Sequence, residues 1–169
     1  MTPHSTRHAG DAPGMERVSM WRGAVPSSLG GRPAESASKE LRATTSTQKI
    51  YWDPENKIVW GKVFRNVTTE ELARENIDAQ ERVRDSLNRE MTRVLVDMCD
   101  VTEMSKAARD YFGNERTASI QRATALLVRS PVSKVIGNFF MGLNKPISPT
   151  RMFTDPEMAV QWLHTFSDD

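Results

Sequence analysis

The sequence holds a single cysteine, only three histidines and no apolar run long enough to span a membrane, and each shortage removes a class of protein. With Cys99 alone, neither an intramolecular disulfide nor a cysteine-rich zinc site can form, which suits a reducing cytoplasm. Cys99 is read as a small buried hydrophobe in an apolar strand. His4 and His8 stand near one end of the chain and His164 near the other, so no metal or cofactor site is expected. Charge is balanced, with 23 Lys and Arg against 22 Asp and Glu, so the basic excess of a nucleic-acid binder is missing. The most oily segment, Val132–Leu143, falls well short of the roughly 20 residues of a membrane span. The opening "MTPHSTRHAGDAPGMERVSM" has no signal-peptide core. No glycine-rich phosphate loop, nucleophile elbow or paired-carboxylate frame is present, so no catalytic residue is assigned and the chain is not expected to be an enzyme.

What is there begins in earnest at Gln48. Residues 1–47 are rich in Pro, Gly, Ser, Thr and Ala and bury too little apolar surface to offset their ordering entropy. They read as a disordered low-complexity tail in which Met15 and Met20 are alternative starts. A short helix over Glu35–Arg42 would lack an apolar stripe, and Met20-Trp21-Arg22 could serve as a docking segment. The runs "KIYWD" and "KIVWGKVF", separated by Pro54-Glu55-Asn56, predict a hairpin. Thr68 with Glu71 predicts a capping box opening a helix to about Arg89, with Leu72, Ala73, Ile77, Val83 and Leu87 inward. The mixed signs of "ELARENIDAQERVRDSLNRE" describe a solvated face rather than a nucleic-acid stripe.

"TRVLVDM" and "ATALLV" read as buried parallel strands. Thr102 is expected to cap a helix from Glu103 to about Phe112. Ser130, followed by Pro131 at the first helical position, should cap another running to about Asn144. In that helix Val132, Val135, Ile136, Phe139, Phe140 and Leu143 recur at helical spacing, which predicts a core helix covered on two sides. Strand "PTRMF" and a last helix started by Asp155-Pro156 complete a ββαβαβαβα order: an α/β domain over 48–169 with a mixed sheet and helical cover.

This order, with "VLVDMCDVTEMS" after the first long helix, resembles the STAS-like fold of anti-sigma-factor antagonists, which is related structurally to CRAL-TRIO lipid-binding domains. The stretch Ala125–Leu163, "ALLVRSPVSKVIGNFFMGLNKPISPTRMFTDPEMAVQWL", resembles a group of uncharacterised bacterial STAS-like proteins. The antagonists carry a phosphorylated serine at the start of the helix after the aspartate-ended strand. Matching Asp97 and Val101-Thr102 to that pattern places Lys106 and Ala107 where adjacent serines usually stand, so the usual phosphoserine switch is not expected. Ser105, in the first turn, is the fallback phosphoacceptor. Thr102, the other nearby hydroxyl, is the second candidate phosphoacceptor and reads rather as a cap.

The resemblance implies a non-catalytic protein-interaction module in a bacterial signalling or localisation pathway. Its expected contact surface is the loop and helix start at Asp100, Thr102, Ser105 and Lys106. The alternative is a small apolar-ligand or lipid-binding protein with a pocket beside the third helix. Phe139, Phe140 and Met141 bear on both readings, because three adjacent large apolar side chains cannot all point into one core. Asp97 and Asp100 stand at a strand end where α/β folds place functional groups, and they serve equally as turn residues. The sequence names neither the protein partner nor an oligomeric state.

Overall fold

The computed structural model describes residues 39–167. The expectations for Met20-Trp21-Arg22, for His4 and His8, and for most of the low-complexity tail lie outside those residues. Within them the order is β1 (Glu40–Thr44), β2 (Gln48–Asp53), β3 (Ile58–Val63), α1 (Glu70–Ser86), β4 (Thr92–Asp97), α2 (Lys106–Phe112), α3 (Glu115–Ile120), β5 (Gln121–Leu127), α4 (Pro131–Phe139), β6 (Thr150–Phe153) and α5 (Pro156–Leu163). This is the predicted α/β plan with one strand and one short helix added.

The added strand corrects the expected domain start. Glu40–Thr44 is neither tail nor helix but the edge of the sheet, antiparallel to β2. Its side chains are mostly exposed, so it carries no apolar alternation to betray it. Backbone pairing holds it, together with the turn that follows. Thr45 donates to Asn76 Oδ1 at 2.5 Å, and Ser46 donates from its N and its Oγ to Glu75 at 3.0 and 3.1 Å.

The six strands lie side by side in chain order, β1–β2–β3 antiparallel and β3 to β6 parallel. When successive parallel strands are neighbours, right-handed crossovers place every connecting helix on the same face. Clusters built on Val59, Val94 and Val83, on Ile77 and Tyr111, and on Leu126 and Ile136 fill that face. α5 takes the opposite face, where Ala159 and Leu163 pack on Ile58, Leu95 and Leu127. Trp162 packs between Phe153, tilted to it, and Phe166, edge-on to it, with ring centroids 5.5 and 5.0 Å away.

Helix starts shift from the expected residues by local chemistry. Thr69, not Thr68, caps α1, accepting from Leu72 N at 3.3 Å. The helix stops at Ser86 rather than Arg89, because Asn88 enters the left-handed region at φ 52°. Ser105, not Thr102, caps α2, accepting from Ala108 N at 3.1 Å. The chain before Ser105 is held away from helix by a bridge between Val67 and Met104. The unexpected α3 starts at Asn114, whose side chain accepts from Thr117 N, and Arg116 joins it to Asp78 and Glu81 of α1 at 2.6 and 2.8 Å. Ser130 caps α4 as expected and forms a reciprocal capping box with Ser133. Asp155 caps α5 with Pro156 in the first turn.

Candidate functional site

The oily third helix of the sequence divides in two. α4 is regular to Phe139, and Phe140–Asn144 continues it as a π-helical turn, a form that concentrates at functional positions. Lys145 ends it with a left-handed φ of 40°. The expectation that this helix is covered on two sides is wrong. Ser133, Ile136, Gly137 and Phe140 face the sheet, whereas Val132, Val135, Phe139 and Leu143 keep 45, 51, 50 and 72% of their surface.

These four residues recur at spacings of three and four, so they form one stripe along the helix. Its direction follows from its neighbours. Lys134 and Asn138 border a groove against Met152–Asp155, on the β6 side, so the apolar stripe is turned the other way, toward β4 and its loop. Of the adjacent trio, Phe139 is on the surface, Phe140 is buried and Met141 packs against the core below.

The loop after β4 joins the buried side of α4. Val101 is buried in the same cluster as Ile136 and Phe140, which ties the loop to α4. Around this anchor Asp100, Thr102, Glu103 and Lys106 are exposed. Asp97 uses its carboxylate to accept from Cys99 N at 3.0 Å, the work of a turn residue. Thr102, expected as a cap, instead meets Asn66, whose amide donates to its hydroxyl and whose carbonyl oxygen takes its N–H, both at 3.0 Å. Ser105, expected in the first turn, has its hydroxyl engaged as the α2 cap. Lys106 pairs with Asp110 one turn on, at 2.6 Å. The structure therefore ties the loop to α4 through buried Val101, with Phe139 on the surface of the helix and Phe140 beneath it.

Cys99 lies past the end of β4, half-buried, rather than within the strand as read from sequence. Its thiol approaches the Leu127 carbonyl at 3.8 Å. Burial, then the hydrogen bond and charge of Asp97, push the thiol pKa up to about 12. It is a poor nucleophile in this setting.

Two hollows flank α4. The groove on the β6 side has about 390 Å³, with Val128, Met152, Phe153 and Met158 against Lys134 and Arg151. The second is an interior cavity of about 60 Å³ between the sheet and the helices, walled in part by Phe140. Sequence reading missed its polar wall, because Gln48, Gln80 and Gln121 are far apart in the chain and resemble surface residues. The one available signal was the position of Gln48 and Gln121 at the ends of strands with buried neighbours. Among the described residues, no three of His, Cys, Asp and Glu converge as metal ligands would, and no helix is long and apolar enough to cross a membrane.

A mixed sheet with its crossover helices on one face, and an oily helix left partly bare, defines the class: an α/β domain. The chain belongs to the family described as a domain of unknown function (DUF7793), which matches residues 55–167. Among solved structures it is similar to an uncharacterized protein from the DUF3478 family with a SpoIIAA-like fold, from Shewanella loihica PV-4. That protein is 13% identical, with 74% of this chain and 91% of that chain covered and a TM-score of 0.43. None of the curated proteins matches.

Proposed function

We propose that the chain is a non-catalytic interaction module of a bacterial signalling or localisation pathway, and that it binds a protein partner through α4 and the adjoining loop. The observation that carries this reading is the stripe Val132, Val135, Phe139 and Leu143, left exposed although it continues the apolar pattern of a core helix. A contiguous exposed apolar patch of this kind marks an interaction site far more often than scattered surface hydrophobes do. The rim favours protein over bilayer. Lys134, Lys145, Arg129 and Arg151 supply positive charge along 129–151, which contains no acid, but Asp100 and Glu103 stand on the loop joined to α4. Carboxylates there would repel anionic lipid headgroups, whereas a protein surface of mixed charge can match both signs.

In this reading Phe139 is the anchor, because half-exposed aromatics at the centre of a patch carry a large share of binding energy. Asp100, Thr102 and Lys106 form the polar border, and Ser105 keeps the loop in shape without acting as a phosphoserine switch. The test is affinity capture from native cells with wild type and with Phe139→Ser and Lys106→Glu. A partner held by wild type and lost on Phe139→Ser, with melting unchanged, supports the module; capture indifferent to both variants would sink it.

The second reading, an apolar-ligand carrier, draws on the open groove beside α4, where an apolar floor lies against Lys134 and Arg151. A native mass spectrum separates the two, since a carrier retains an adduct and the module does not.

A further inference from the structure

The interior cavity has a polar and an apolar lining. Three buried glutamine side chains form a relay: Thr124 Oγ1 donates to Gln121 Oε1 at 2.8 Å, Gln121 Nε2 to Gln80 Oε1 at 2.7 Å, and Gln80 Nε2 to Gln48 Oε1 at 3.3 Å. Met98, Leu126 and Phe140 line the same cavity with carbon. The relay ends at Gln48 Nε2, which meets no acceptor among the described residues although Gln48 is only 3% exposed. Gln48 Nε2 is not one of the side-chain atoms sealed from solvent without a partner, so the cavity leaves it open to a molecule small enough to enter. β3 makes room for the amide: a Cβ on Gly61 would lie 2.0 Å from Gln48 Nε2.

We infer that this cavity is a binding site for a small neutral molecule that carries a hydroxyl or primary amide on a short apolar body. Each part of that description has its own source. None of the residues lining the cavity is ionisable, so a charged ligand would be buried without a counter-charge. The free end of the relay is an N–H donor, so the ligand must present an acceptor there, which a hydroxyl or the carbonyl of a primary amide supplies. The apolar lining requires carbon against Phe140 and Leu126. Size sets the upper bound. The cavity has about 60 Å³, whereas a cavity of roughly 150 Å³ accepts benzene, so the ligand is shorter than a ring and far shorter than an acyl chain.

This site is independent of the protein-binding stripe: it lies inside the domain, with Phe140 rather than Phe139 in its wall. The probes are ethanol, 1-propanol and acetamide, set against acetate as the charged relative of acetamide and 1-hexanol as the oversized alcohol. Side-chain amide resonances of Gln48, Gln80 and Gln121 are followed by ¹H–¹⁵N NMR on the full chain during titration. The expected result is saturable shifts of the Gln48 amide with the short alcohols and acetamide, and none with acetate or hexanol at equal concentration. Gln48→Met, which retains the length of the side chain without its amide, should weaken 1-propanol binding at least tenfold, now read from the Gln80 and Gln121 amides. Folding of that variant is checked by its backbone spectrum, and Thr124→Val, at the far end of the relay, provides a second test by weakening binding less. Linear, unsaturated shifts with every probe would mean that the cavity holds water only. That result, an equal response to acetate, or unchanged affinity in Gln48→Met would overturn the assignment.

Discussion

Gly61, paired with Ile50, is the diagonal neighbour of Gln48 across β2 and β3, and the space that glycine leaves is the space the Gln48 amide occupies: an added Cβ would come within 2.0 Å of Nε2 and 2.9 Å of Cδ. Gln48 could yield only by shifting the amide that holds Gln80. Gly61→Ala should therefore lower stability by about 1–3 kcal/mol, the usual cost of forcing bulk into a packed interior. Urea unfolding measures it, and a stability equal to or above wild type would show that the amide relay is not rigid.

The two faces of α4 should respond oppositely to the same substitution. Ile136→Asp puts an unpaired carboxylate beneath the helix at a cost of several kcal/mol, a large part of the roughly 5–15 kcal/mol that holds a domain together. Val135→Asp, one residue earlier on the exposed stripe, should change stability by no more than about 0.5 kcal/mol. Thermal melts compare them. A cooperatively melting Ile136→Asp protein, or a Val135→Asp protein that fails to fold, would reverse the assignment of faces.

Cys99 makes a pH-dependent contribution whose sign follows from its raised pKa. In the unfolded chain the thiol ionises near its usual value of about 8.5, whereas in the folded protein it holds its proton to about 12. Its share of stability is complete below the unfolded value and is lost as pH rises toward the folded one. At pH 8.5 iodoacetamide should alkylate the folded protein at least tenfold more slowly than the urea-unfolded chain. Equal rates would place Cys99 in solvent.

Ser105 should be recovered unphosphorylated. Its hydroxyl accepts from Ala108 N at the start of α2, and loss of such a cap by Ser105→Ala should cost about 1 kcal/mol. Phosphosite mapping on protein from native cells tests the regulatory half of the statement. Stoichiometric phosphate on Ser105 or Thr102, coupled to partner release, would restore a switch of the antagonist type.

These predictions also mark where the sequence was readable. The hairpin at Pro54-Glu55-Asn56, the buried strands around Val94 and Ala125, and the caps at Ser130 and Asp155 are local chemistry, and each stands where its residues indicate. β1 was hidden because its information lies in backbone pairing with β2 and in the Thr45–Asn76 contact, neither of which leaves a periodic trace. Thr69 and Ser105 displaced the expected caps because neighbouring hydroxyls compete for a helix start and tertiary contacts, such as the Val67–Met104 bridge, choose between them. The stripe on α4 is apolar in the sequence, and its periodicity alone points to the core. Periodicity reports that a face is oily, and only the placement of β6 and the loop after β4 reveals how much of it they cover. The amide relay joins residues 32 and 41 positions apart in sequence, a separation at which no local pattern survives.

The central claim is that Phe139, not its neighbours around the helix, meets a protein. A photo-crosslinking phenylalanine placed at position 139 in native cells tests it directly, with the same group at Asn138, on the groove side, as the comparison. The account predicts a discrete protein adduct from position 139 and little or none from position 138. Equal adducts from both positions, or lipid rather than protein captured at 139, would contradict it.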